Sequence, residues 1–119
     1  MIIRTETPAD QPAVHALNVA AFPTNEEAEL VDKLRQSDGF VPELSLVAEE
    51  NDSIVGHILF TKISIIDGEK QHASLALAPM AVLPAFQNRG VGSMLVRAGL
   101  ERTRELGFHS VVVLGHERY

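Results

Sequence analysis

The stretch 84-PAFQNRGVGSMLV-96 decides how the rest of the chain is read. An apolar run, 72-HASLALAPMAVL-83, leads into it, and a helical pattern leaves it. Leu95, Val96, Gly99, Leu100 and Leu106 form one stripe of that helix, with Arg97, Glu101, Arg104 and Glu105 outside. Gly90 and Gly92 therefore stand in a strand-to-helix turn, at the mouth of the helix. The first N–H groups of a helix have no internal partner and carry the positive end of its dipole. A phosphate can accept several of them at once, and glycine lets it approach the backbone. The same pattern also fits a plain tight junction between strand and helix. Two nucleotide fingerprints are excluded. A dinucleotide site would need a third glycine where Leu95 stands, and a P-loop would need Gly-Lys-Ser/Thr.

Proline sharpens the reading of the strand before the turn. Pro79 lies inside the run 72–83, and Pro84 follows it. Proline cannot donate to a sheet ladder, so within a strand it marks an edge, a bulge or a break. A break at Pro79 would leave backbone groups of Met80, Ala81 and Val82 available to a ligand. Upstream, 2-IIRTE-6 reads as a short strand. Thr7, Pro8 and Asp10 then open a helix with a cap, a first-position proline and an acidic third residue. Val14, Leu17 and Ala21 supply its apolar stripe, and Phe22-Pro23 ends it. A second helix covers 25-NEEAELVDKLRQS-37, with Glu26, Glu27 and Glu29 at its positive end. Ala28, Leu30, Val31 and Leu34 are its buried side, and Gly39 and Pro42 close it off.

Strands follow at 45–50, 54–66 and 72–83, separated by Asn51-Asp52 and Asp67-Gly68 turns. After the helix that leaves Gly92, Gly107 is a stop and 110-SVVVLG-115 is a buried strand. The crossover rule makes it parallel to the strand before the helix. The fold class is α/β (α+β), a mixed sheet in the order strand, helix, helix, three strands, helix, strand. The whole of 1–119 forms one domain.

Composition narrows the function. The chain has no cysteine, which excludes disulfides, thiolate metal sites and a cysteine nucleophile. The net charge is −6 with scattered basic residues, so the electrostatic footprint of a nucleic-acid binder is missing. A cationic or amine-bearing partner fits better. MIIRTETPAD has no signal-peptide core, and no apolar run approaches the ~20 residues of a membrane span. A cytoplasmic protein without membrane contact is expected. The five histidines show no ligand spacing, so no metal is expected.

The run 76-ALAPMAVLPAFQNRGVGSMLVRAGLERTRELGFHSVVVLGHERY-119 resembles the core of the GNAT superfamily of acetyl-CoA-dependent N-acetyltransferases. That family's cofactor signature, Gln/Arg-x-x-Gly-x-Gly/Ala, reads here Gln87-Asn88-Arg89-Gly90-Val91-Gly92. The order of elements extends the resemblance over essentially the whole chain. It implies a sheet that splays open near Pro79, with acetyl-CoA as donor. It implies transfer to a primary amine of a small molecule or protein, by direct attack on the thioester. The backbone N–H groups of Gln87, Asn88, Arg89, Gly90, Val91, Gly92 and Ser93 would bind the CoA pyrophosphate. Met80, Ala81 and Val82 would pair with the pantetheine arm, and an N–H near Met80 or Ala81 would polarise the thioester carbonyl. A catalytically inactive acetyl-CoA-binding module or regulator is the alternative.

Members of the family continue with a helix and two further strands, whereas this sequence stops at 115-GHERY-119. A C-terminally incomplete domain is therefore expected. Many members use a tyrosine after the last strand of this region as general acid, which makes Tyr119 the candidate here. A terminal aromatic packed on the core is the other reading. His116 is a candidate proton carrier nearby. Phe22, Glu26, Glu27 and Glu29 fall in the region that lines the acceptor site in the family, the three glutamates as candidates for the general base, although helix-dipole placement also explains the carboxylates and a core position explains Phe22. Strand 110–115 would keep an unpaired apolar edge, which a second copy of the chain could cover as a homodimer.

Overall fold

A computed structural model describes residues 1–113. The elements are β1 (Ile2–Thr5), α1 (Gln11–Ala21), α2 (Glu26–Arg35), β2 (Phe40–Glu50), β3 (Ser53–Asp67), β4 (Lys70–Val82), α3 (Val91–Glu105) and β5 (Val111–Val113). They build one five-stranded sheet in the spatial order β1-β2-β3-β4-β5. The first four strands are antiparallel, and β5 runs parallel to β4. The β4–α3–β5 crossover therefore has the predicted sense. Asn51 and Asp52 both take positive φ in the β2–β3 hairpin, as a two-residue turn requires. No described helix is long and apolar enough to cross a membrane.

The sheet is covered on both faces, and the period of two in its strands sorts the side chains. Leu46 and Ala48 face α3, together with Ile58, Phe60 and Leu75, and pack with Leu95 of that helix. Val47 and Leu59 face the other way and pack with Val14 of α1 and Val31 of α2. Burial on both faces explains why the middle of β3 reads as a near-continuous apolar run.

The helix stripes differ in detail from the sequence reading. In α3 the buried residues are Val91, Leu95, Gly99 and Thr103, while Leu106 is 41% exposed. The helix stops at Glu105, the chain turns at Gly107, and Phe108 takes the place against the core. In α2 only Ala28 and Val31 are buried, and Leu30 lies at the rim. In α1 Asn18 is buried beside Val14 and Leu17, its amide donating to Val14 C=O at 3.0 Å. Pro42 does not cap a helix. It lies inside β2, where the pairing jumps from Phe40–Thr61 to Ser45–Leu59, a register irregularity that tolerates a residue without an N–H.

Gly99 lets α3 sit close on the sheet. A Cβ there would run into the ring of Phe60, 2.6 Å from its Cζ, and Phe60 is fully buried. Gly99→Ala should cost about 1–3 kcal/mol by overpacking, despite the better helix propensity of alanine. Urea unfolding checks this; a variant as stable as the parent would show that the α3 contact yields freely.

Candidate functional site

The glycine turn has the geometry its sequence predicts. After β4, a 3-10 turn at Pro84–Phe86 is closed by Phe86 N–H on Leu83 C=O at 2.8 Å. Asn88 and Gly90 both take positive φ, 65° and 81°. Gly90 is the N-cap of α3 in the left-handed region, where a side chain would be strained. The helical ladder begins with Met94 N–H on Gly90 C=O at 3.0 Å, so the N–H groups of Val91, Gly92 and Ser93 point out of the helix end. The Gln87 side chain ties the turn to the strand by donating to Val82 C=O at 3.1 Å.

This turn forms one wall of a cleft of about 680 Å³. Met80, Val82, Gln87, Asn88, Gly90, Val91, Gly92 and Ser93 all line it, so most of the predicted cofactor residues are brought together. Arg89 is not in the lining; its guanidinium stacks over Phe86, 5.6 Å from the ring centre. Ala81 is also outside the lining and is 2% exposed. Phe86, Val96 and Arg97 join the cleft without having been predicted. Helical spacing could have found two of them, since Val96 and Arg97 stand four residues after Gly92 and Ser93. Arg97 is exposed, as its place outside the helix stripe predicts, and it also lines the open cleft.

The strand wall is set by the break at Pro79. Ile58 pairs with Met80 but Phe60 pairs with Leu77, so β4 carries an extra residue around Ala78-Pro79. Among the described residues, the pairing of β5 covers Leu75, Ala76 and Leu77. Among the described residues, no strand lies beside the outer edge of Met80–Val82. Ladder alternation decides which amides face that edge. Leu83 N–H donates inward to Val55 C=O at 2.9 Å, so Ala81, two residues earlier and paired with His57, also turns its N–H towards β3. Met80 and Val82 present theirs outward. Of the two candidates for polarising a carbonyl, the geometry favours Met80 over Ala81.

The opposite face of the sheet carries a buried polar row that sequence reasoning did not assemble. Glu6, just after β1, receives two hydrogen bonds from the Arg35 guanidinium, at 3.0 and 2.8 Å. The Ser45 hydroxyl donates to Glu6 Oε2 at 3.1 Å, and His57 Nε2 lies 2.8 Å from Ser45 Oγ and 3.3 Å from Glu6 Oε2. Because the serine hydrogen goes to Glu6, His57 Nε2–H is the donor to serine. Burial disfavours the Glu6 carboxylate, but hydrogen bonds from His57 and Arg35 outweigh it and hold its pKa down to about 2. Burial lowers the pKa of His57, with Glu6 opposing the shift, so the imidazole stays neutral. A serine and a histidine in phase within otherwise apolar strands were the only signal in the sequence.

The remaining candidates lie apart from the cleft. Glu26 and Glu29 are exposed on the first turn of α2, while Phe22 and Glu27 are half-buried. Tyr119 and His116 lie outside the described residues. Among the described residues no group of His, Asp or Glu side chains is arranged to hold a metal.

Comparison with known proteins follows the same lines. The model of the acetyltransferase (GNAT) family matches residues 12–118. The chain is 39% identical over 114 residues to the uncharacterized N-acetyltransferase YjhQ of Escherichia coli, covering 93% of this chain and 61% of that protein. It thus spans about three fifths of the length of that relative. A GNAT family acetyltransferase from Brucella melitensis, solved in complex with acetyl-CoA, superposes with a TM-score of 0.85 at 36% identity, covering 99% of this chain and 77% of that one. YhbS of Escherichia coli, solved with CoA, superposes with a TM-score of 0.84 at 32% identity, covering 96% and 62%. With the glycine turn at the head of α3, the broken strand beside it and these matches, the chain belongs to the GNAT acetyltransferase family.

Proposed function

We propose that this chain transfers an acetyl group from acetyl-CoA to a primary amine of a small molecule or protein. The observation that carries the reading is the joining, in one cleft, of an open helix N-terminus and a strand edge that no described strand covers. The outward N–H groups of Val91, Gly92 and Ser93 suit the pyrophosphate, while Gln87 N–H is held by Pro84 C=O at 3.3 Å; glycine at position 90, which its positive φ favours, keeps that wall free of a Cβ. Arg97 in the lining and Arg89 at its margin complement an anionic ligand on a chain of net charge −6. The outward edge of Met80 and Val82 can pair with the two amides of the pantetheine arm. Bound acetyl-CoA supplies the acetyl group as a thioester; Met80 N–H polarises its carbonyl. Tyr119 is the proposed general acid towards the sulfur, and Phe22, Glu26 and Glu29 are the proposed contributors to the acceptor side.

Isothermal titration with acetyl-CoA, followed by thiol release against spermidine, an aminoglycoside and a lysine-rich peptide, tests the reading. Binding with thiol release on at least one amine is expected. Absence of acetyl-CoA binding would overturn it, and binding without release on any amine would leave a cofactor-binding module.

A further inference from the structure

The buried row on the face opposite α3 has an open end. His57 is fully buried, and its Nδ1 has no hydrogen-bond partner. A buried acceptor without a donor is costly, so its presence asks for a role. The other three described histidines, His15, His72 and His109, are all at least partly exposed. The ring nitrogens of an imidazole point in roughly opposite directions. With Nε2 aimed at Ser45 and Glu6 on the β1–β2 side, Nδ1 faces away from them. The strand on the far side is β4, where His57 pairs with Ala81, flanked by the outward-facing amides of Met80 and Val82.

We propose that His57 takes the proton of the attacking amine, with Glu6, Ser45 and Arg35 as the residues that fix its tautomer and hold it in that role. This rests on the acetyl-transfer reading above. The donor cleft lies on the α3 face of β4, so an amine reaching the thioester from the other side meets the face that carries His57. An ammonium must lose a proton before its lone pair can attack. That proton ends on His57 Nδ1. The C–N bond then forms and the C–S bond breaks, its electron pair leaving with sulfur. The second proton of the nitrogen goes to the thiolate, giving amide and free thiol. The imidazole later returns its own proton to solvent. Because His57 is enclosed, the first transfer passes through a bridging water, which takes the ammonium proton as it gives one of its own to Nδ1, so His57 accepts the proton without touching the substrate.

The charges around the imidazole suit this. The segment after β1 presents Glu6, and α2 presents Arg35, which also meets Asp32 at 3.4 Å. The α1 helix brings His15 only as far as Asp32, at 3.1 Å on the rim. The β4 run 73–83 carries no ionisable side chain. One carboxylate stabilises the imidazolium once formed, and Arg35 keeps that carboxylate from accepting the proton itself.

Nitrogen NMR of the wild-type chain reads the imidazole whatever the acceptor. A neutral ring with hydrogen on Nε2 throughout the neutral pH range is expected; hydrogen on Nδ1 would overturn the proposal. In kinetics, His57→Gln keeps a donor towards Ser45 but has no basic nitrogen. Its thiol release should fall by at least about 10²-fold and lose the acidic limb of kcat/KM, with acetyl-CoA affinity unchanged. The loss should shrink for an O-alkyl hydroxylamine, which is already neutral at pH 7. A variant that keeps the parent's rate and pH profile overturns this inference alone. A wild-type chain that does not bind acetyl-CoA overturns the functional reading, and this one with it.

Discussion

Glu6→Ala should be among the most destabilising single truncations in this chain, with an expected loss of about 3–5 kcal/mol. The reason is not the strength of the Glu6–Arg35 pair but what its removal leaves behind. The Arg35 side chain is 9% exposed, and without Glu6 its closest carboxylate is Asp32 at 3.4 Å. Ser45 and His57 lose their shared acceptor at the same time. Replacing both ends of the pair by apolar residues, as in Glu6→Leu with Arg35→Met, should recover much of the loss, because no charge is then stranded. Urea unfolding measures each variant. A loss below about 1 kcal/mol for Glu6→Ala would mean that solvent reaches the row freely.

The same row contributes to the pH dependence of stability, and its two groups act in the same direction. The pKa of His57 is lowered on folding from 6.5, so below that pH the unfolded chain takes up a proton that the folded chain resists, and stability falls. The pKa of Glu6 falls on folding from 4.5 to about 2, so its contribution is full above 4.5 and fades as pH drops towards 2. Unfolding free energy should therefore be level near neutrality, fall below the ordinary histidine range, and fall again below 4.5. Glu6→Gln should shrink the lower of the two steps, leaving the part contributed by Asp10, whose carboxyl is held down by its hydrogen bonds from Arg4. A profile that rises on acidification would contradict both assignments.

Gly92→Leu should abolish measurable acetyl-CoA binding, raising Kd by more than about 100-fold, while leaving the fold intact. Gly92 lies in the first turn of α3 with helical backbone, so leucine gains helix propensity of roughly 0.8 kcal/mol there. A Cβ at this position meets the Met80 methyl at 3.4 Å, an ordinary contact, and everything beyond the Cβ enters the cleft. Binding and stability are thus expected to move in opposite directions, which separates occlusion from misfolding. Gly92→Ala is the control: it adds only the Cβ and should bind close to the parent. Titration calorimetry and thermal unfolding on the same samples decide it. Undiminished binding by the leucine variant would place the donor elsewhere.

Much of this was legible in the chain because it is written in local chemistry. The turn from Pro84 to Gly90 is specified by proline and glycine acting on neighbouring bonds. The parallel pairing of β4 and β5 follows from a helix joining two strands of one sheet, and Pro79 announced the extra residue in β4 because a proline cannot join a ladder. What failed, or was not visible, depended on partners far away in sequence. Pro42 looked like a helix stop until pairing with β3 drew it into β2. Leu106 has the right helical spacing for the core, but the helix ends before it, and Phe108 fills the place.

The sequence by itself determined the order of elements, the helix mouth, and most of the residues that line the cleft beside it, because spacing along one chain carries each of them. Only the tertiary structure decided that Met80 rather than Ala81 turns its amide to the open edge, since that depends on ladder parity against β3. Only it brought Glu6, Arg35, Ser45 and His57 into one buried row, since four unremarkable polar residues become a unit when three strands and a helix close over them and exclude water.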